Sequence, residues 1–169
     1  MQESTNEQTR VVVLMGVTGS GKSTIGRLLS QQLGWKYYDA DDFHPSANVE
    51  KMRSGIPLND DDRKPWLETL RDLISQCLER GENAVLACSA LKESYREFLV
   101  LNERVRLIYL KGNRELLKER LAARRGHYMN PALLDSQLET LEEPKGGYKI
   151  DISLSPAEIV KTIRSYLNP

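Results

Sequence analysis

Val11-Val12-Val13-Leu14-Met15-Gly16-Val17-Thr18-Gly19-Ser20-Gly21-Lys22-Ser23-Thr24 is the stretch on which the rest of the chain is read. Five consecutive apolar residues have strand length and the unbroken hydrophobicity of a strand buried on both faces. Gly16 to Ser23 then follows the pattern G-x-x-x-x-G-K-S. Lys22 to Leu33 continues as a helix with Ile25, Leu28, Leu29 and Leu33 on one face and Gly34 as its stop. The glycine pattern is specific only between a strand and a helix, and both flanks are present. Such a loop curls its N–H groups around phosphate oxygens, and the helix N-terminus adds partial positive charge. Gly16, Val17, Thr18, Gly19, Ser20 and Gly21 are therefore expected to cradle nucleotide phosphates. Lys22 supplies a point charge, Ser23 a hydroxyl for Mg²⁺, and Thr24 a further phosphate hydrogen bond.

Working outward, strands alternate with helices. Strands are predicted at 35–38, 84–88, 105–110 and 150–154, and helices at 48–54, 63–80, 91–101, 114–124 and from Pro131 to Leu141. Asp62 is placed as N-cap of the long helix, with Pro65 in its first turn. Ser155-Pro156-Ala157-Glu158 reads as a capping box opening the last helix. Strand–helix alternation predicts an α/β fold: a parallel sheet, five strands by this reading, with helices on both faces. The whole is one P-loop NTPase domain over 10–169. Its helical insert at about 43–80 is assigned to substrate and a mobile lid to about 120–135. Residues 1–9 are polar and are expected to be a disordered tail.

Composition narrows the partners. The 169 residues carry 24 Lys+Arg against 24 Asp+Glu, so no basic excess points to nucleic acid or a membrane surface. No apolar run has membrane-spanning length, and the polar start is unlike a secretory signal, so the expected compartment is the cytoplasm. Two cysteines and two distant histidines give neither a disulfide framework nor a zinc site. Cys77, on an apolar helix face, reads as core.

Asp39 and Asp41 stand two apart on what reads as an extended stretch, which turns both carboxylates to one side at the ligand-binding end of a parallel strand. Asp39 is expected to hold the Mg²⁺ shell, and Asp41 to accept the proton of an acceptor hydroxyl. Aspartate also caps turns readily, and Asp42 has that look. His44 either bonds a polar substrate or only packs. Arg120 and Arg124 share a helical face that runs into the polar, Gly126-containing stretch. They are expected to stack on the base and to bind transferring phosphate oxygens as that segment closes, Arg120 on the nucleotide and Arg124 in catalysis.

Beyond these motifs, several segments resemble one family, the gluconokinases. They are Asp39 to Pro45, Asn48 to Met52, Gly55-Ile-Pro-Leu-Asn-Asp-Asp-Asp-Arg-Lys-Pro-Trp-Leu67, Cys88 to Lys92 with Tyr95-Arg96, Ile108 to Gly112, Arg120 to His127, and Gln137 to Leu141 with Pro144. The resemblance spans about Val11 to Leu167. It implies a nucleoside-monophosphate-kinase-like fold and transfer of phosphate from ATP, with Mg²⁺, to the 6-hydroxyl of D-gluconate. It also implies a homodimer. Lys145 to Lys149 is shorter than the family's usual link, which bears on the adenine-side loop. A sugar acid needs cationic donors for its carboxylate and mixed partners for its hydroxyls. Asn48, Lys51, Arg53, Asp60, Arg63, Ser89 and Lys92 offer these, and with Asp41 the foremost substrate residues are His44, Arg53, Lys92 and Arg124. Two rivals stand beside this reading. One is a shikimate or nucleoside-monophosphate kinase, although a shikimate kinase normally shows a glycine-rich run where this chain has Cys88-Ser89-Ala90. The other is a nucleotide-binding module without catalysis.

Overall fold

The computed structural model describes residues 10–123 and 131–167. Its centre is β1 (Val11–Met15), and all five of its residues are buried. β2 (Lys36–Asp39), β3 (Ala84–Ala87), β4 (Val105–Lys111) and β5 (Tyr148–Asp151) complete one sheet in the order β2-β3-β1-β4-β5, with every pairing parallel. The continuous apolar run of β1 is explained by its place. Val11, Val13 and Met15 face one hydrophobic cluster, and Val12 and Leu14 face another on the opposite side. Each fully buried side chain of that size contributes about 1.5–3 kcal/mol.

The first cluster lies under α3 (Asp60–Arg80) and α4 (Glu93–Leu99); the second lies under α1 (Lys22–Leu33), α5 (Arg114–Ala123) and α7 (Pro156–Leu167). The shorter α2 (Ser46–Arg53) precedes α3, and α6 (Pro131–Thr140) precedes β5. The predicted fold class is thus the observed one. In α7, Ser155 Oγ accepts from the Glu158 N–H and Glu158 Oε2 from the Ser155 N–H, the expected capping box.

Two local readings are corrected. The N-cap of α3 is Asn59 rather than Asp62. Asn59 accepts from the Asp62 N–H at 2.7 Å, and the Asp62 carboxylate accepts back from the Asn59 N–H at 3.0 Å. Reciprocal capping starts the helix three residues early and leaves Pro65 inside it. The fifth strand begins at Tyr148, because Ile108 to Lys111 of β4 pair with Tyr148 to Asp151. The link before it therefore lies toward the amino-terminal end of the sheet. A side chain at Gly147 would meet Leu107 in the amino-terminal half of β4. An open depression of about 690 Å³ lies there, lined by Glu97, Arg106 and Lys145 among others, and away from the carboxyl edge of the sheet.

Candidate active site

β1 ends at Met15, and the glycine loop turns there at the carboxyl edge of the sheet. Gly19 and Gly21 have φ of 83° and 94°, a region L side chains rarely enter, and Gly21 caps α1 in that conformation. The Lys22 ammonium folds back over the loop onto the carbonyls of Gly16 (2.8 Å) and Val17 (3.1 Å). Val17 and Ser20 are buried, and Thr24 is exposed in the first turn of α1. The loop is gripped from two helices. A side chain on Gly19 would collide with Leu121 of α5, and Gln137 of α6 accepts from the Thr18 N–H at 2.6 Å.

β2 delivers its carboxylates two strands from β1. Asp39 is in register with Ala87 of β3, which is in register with Leu14, a separation of roughly 10 Å. The chain does not stay extended. Residues Ala40–Phe43 form a single 3₁₀ turn whose N-cap is Asp39, with the Asp41 N–H donating to Asp39 Oδ1 at 2.9 Å. Asp39 and Asp41 are thus neighbours through a cap, not through strand alternation. One Asp39 oxygen is left for other partners.

The Asp41 carboxyl is accessible from solvent, yet protein crowds around it. That desolvation raises its pKa above the ordinary aspartate value. The Asp39 charge adds to the rise and Lys22 opposes it. Lys22, Asp39 and Asp41 also act on the wholly buried Cys88 thiol, whose pKa burial pushes up to about 12. These charges therefore lie within electrostatic reach of one buried spot. Cys88 and Cys77 are buried free thiols.

The residues suit a magnesium ion. Ser23 offers a hydroxyl and Asp39 a carboxylate oxygen, both hard donors. The buried Tyr37 hydroxyl lies against Ser23 and feels the charge of Asp39, so both donors belong to one neighbourhood. Among the described residues no three His, Cys, Asp or Glu side chains converge. That fits an ion that keeps waters and takes oxygens from phosphates.

Several expected substrate residues lie on α2, α3 and the connection after β3. Trp66 donates its indole N–H to the Ala40 carbonyl at 2.7 Å, locking α3 to the turn that carries Asp41. His44 stacks on Trp66 with centroids 4.4 Å apart and planes 12° apart. The Asn48 amide donates to the Asp62 carbonyl and meets His44 Nδ1 at 3.3 Å. Nδ1 then accepts and Nε2 carries the hydrogen. Burial, with the charge of Arg63, lowers the His44 pKa and favours this neutral form. Lys92 bonds both oxygens of Asp60 (2.9 and 3.2 Å), and Tyr95 donates its hydroxyl to the same carboxylate.

Between β3 and Lys92, Ala90 has φ 45°, strained for a residue with a Cβ. The buried Arg96 guanidinium donates to the carbonyls of Ala90, Leu91 and Glu142 and holds that turn in place.

Arg53 ends α2, exposed and without a hydrogen bond or ion pair among the described residues. Arg120 donates to the carbonyl of Ile152, just past β5, in the helix that packs on Gly19. Arg124, and with it Arg125 to Asn130 of the expected lid, lies outside the described residues. Trp66, Tyr95 and Gln137 went unread as site residues. The signal for them lay inside segments already distinctive in the sequence, Gly55 to Leu67, Cys88 to Arg96 and Gln137 to Leu141.

Comparison with known proteins separates domain type from family. A family model described as shikimate kinase matches residues 18–149. A probable gluconokinase of Dictyostelium discoideum is 46% identical over 180 residues, covering 98% of this chain and 90% of the relative. This chain belongs to the gluconokinase family. A solved gluconokinase from Sinorhizobium meliloti 1021 superimposes with TM-score 0.83 at 40% identity, over 94% of this chain and 91% of that one. The shikimate kinase of Aquifex aeolicus shares the fold alone, with TM-score 0.61 at 24% identity over 93% and 95% of the two chains. The gluconokinase family and shikimate kinase thus share a frame.

Proposed function

We propose that this chain transfers the γ-phosphoryl group of ATP to the 6-hydroxyl of D-gluconate, giving ADP and 6-phospho-D-gluconate. The observation that carries this reading is the Asp41 carboxyl of a gluconokinase-family chain, raised in pKa and within electrostatic reach of Lys22 of the phosphate loop. The acceptor oxygen forms its bond to the γ-phosphorus as the bond to the β–γ bridging oxygen breaks. The hydroxyl proton passes to Asp41 and then to solvent. The transition state is loose, so alignment and charge contribute more than early proton removal. An aspartate of raised pKa is the better proton acceptor, provided it is ionised at the working pH.

Backbone N–H groups from Gly16 to Gly21 and the Thr24 hydroxyl hold phosphate oxygens. Lys22 balances the charge on the transferred group, and Arg124 joins it when the segment at about 120–135 closes as a lid. Arg120 faces the base. Ser23 and Asp39 are the residues that would hold Mg²⁺, which when bound with ATP neutralises phosphate charge. His44 presents its Nε2–H to an acceptor hydroxyl, and Lys92 with Arg53 supplies cations for the acceptor carboxylate. The helical region at about 43–80 is the acceptor wall of a single domain over 10–169, with residues 1–9 a tail. The protein works as a homodimer in the cytoplasm.

The test is an ADP-release assay with Mg²⁺-ATP across D-gluconate, shikimate, a neutral hexitol and nucleoside monophosphates. Gluconate is expected to exceed every other acceptor by at least roughly 10²-fold in kcat/KM, the discrimination a buried polar site achieves. Faster turnover of shikimate would overturn the reading. ATP binding without turnover of any acceptor would favour a non-catalytic module.

A further inference from the structure

The start of α3 and the start of α4 are joined by one polar cluster. Asp60, the first residue of α3, accepts two bonds from the Lys92 ammonium and one from the Tyr95 hydroxyl. Arg63, one turn along α3, donates to the Tyr95 oxygen at 3.2 Å and lies 3.9 Å from Asp60. The Tyr95 ring is buried between the Arg63 and Lys92 cations, 5.8 and 5.6 Å from its centroid. The cluster is linked to the turn that carries Asp41 through a succession of neighbouring side chains. Arg63 acts on His44, His44 stacks on Trp66, and Trp66 is bonded to Ala40, the residue before Asp41. From the other side, Lys92 follows Cys88, around which Lys22 and Asp41 converge.

We propose that Asp60, anchored by the Tyr95 hydroxyl, is a positioning residue that holds the Lys92 ammonium as a donor for the carboxylate of the acceptor, making this wall select sugar acids over neutral polyols. The inference rests on the gluconate reading above and adds to it the carboxylate subsite and what fixes it. Two effects of Asp60 oppose each other. Its negative charge disfavours an incoming anion, but the group is exposed and screened, which is worth about fivefold in binding or less. Its bonds keep a flexible lysine aimed at one point, and the Tyr95 phenol fixes the carboxylate that does so. Loss of one well-aimed charge-assisted bond to an anion is worth about tenfold or more. Orientation outweighs repulsion, so removing the carboxylate weakens acceptor binding.

The experiment is steady-state kinetics of Asp60→Asn, Asp60→Glu and Tyr95→Phe with D-gluconate and a neutral hexitol, beside an ATP-binding titration and a melting curve. Asp60→Asn is expected to raise the gluconate KM by about tenfold, the loss of one aimed charge-assisted bond. Its kcat should stay within about threefold and its ATP affinity should not change. Asp60→Glu is expected to recover part of the loss, and Tyr95→Phe to raise the gluconate KM in the same direction. kcat/KM for the neutral hexitol should change little, so discrimination narrows. An unchanged or lower gluconate KM in Asp60→Asn, or an equal loss on both acceptors, overturns the proposal. Failure of the wild-type protein to phosphorylate gluconate would instead overturn the reading beneath it.

Discussion

Asp39 and Asp41 at the end of β2, and Asp60 and Asp62 at the start of α3, are two acidic pairs of the same spacing in opposite circumstances. Burial and then Asp39 raise the Asp41 pKa, and the charge of Lys22 opposes the rise. Asp60 and Asp62 are held below the ordinary value, Asp60 by Tyr95 and then Lys92, and Asp62 by the Asn59 N–H and then Lys51. A carboxylate already paired is part of the architecture. One left under-compensated in a crevice is available to take a proton, and such a group costs stability while it waits.

The contrast is tested hardest at Asp41. Asp41→Asn keeps the size but cannot take the proton, so turnover on gluconate should fall roughly 10²-fold or more. ATP affinity, measured by direct titration, should be nearly unchanged because the loop holds the phosphates. Retained turnover would reduce Asp41 to a turn residue. In the wild type, the acid limb of kcat should lie above the ordinary aspartate value, since the raised pKa keeps Asp41 protonated there.

A smaller effect checks the architectural pair. Asn59→Ala removes the side-chain half of the cap on α3 and should cost about 1 kcal/mol, or roughly 2–4 °C in melting temperature. No loss would mean that Asp62 alone suffices to start the helix.

The finest test compares pH signatures. Asp41 has a raised folded pKa, so the native state binds more protons than the unfolded one above about pH 4, and stability is lost as pH rises through that folded value. Asp62 has a depressed folded pKa, so its contribution is complete above about pH 4 and is lost as pH falls below it. Melting curves at neutral pH should therefore move up for Asp41→Asn and down for Asp62→Asn. At pH 3 both differences should shrink. Shifts of the same sign would abolish the distinction between the pairs.

Local sequence determined the phosphate loop, because everything it needs lies within Val11 to Leu33: an apolar strand, glycines at positive φ, and a helix start. It likewise determined the parallel α/β order and the cap at Ser155. It misplaced the start of α3 by three residues, because Asn59 and Asp62 are both good caps and only their reciprocal bonds select the first. It read Asp39 and Asp41 as an extended pair, although Asp39 itself caps the turn.

The polar cluster proposed as the acceptor wall was decided by tertiary structure. Asp60 and Tyr95 are 35 residues apart in sequence, and they meet because α3 and α4 pack on the same face of the sheet. Gln137 reaches Thr18 across 119 residues. No periodicity or spacing encodes such meetings. Burial of the helices' apolar faces fixes where the helices lie, and the polar residues at their ends are brought together as a consequence.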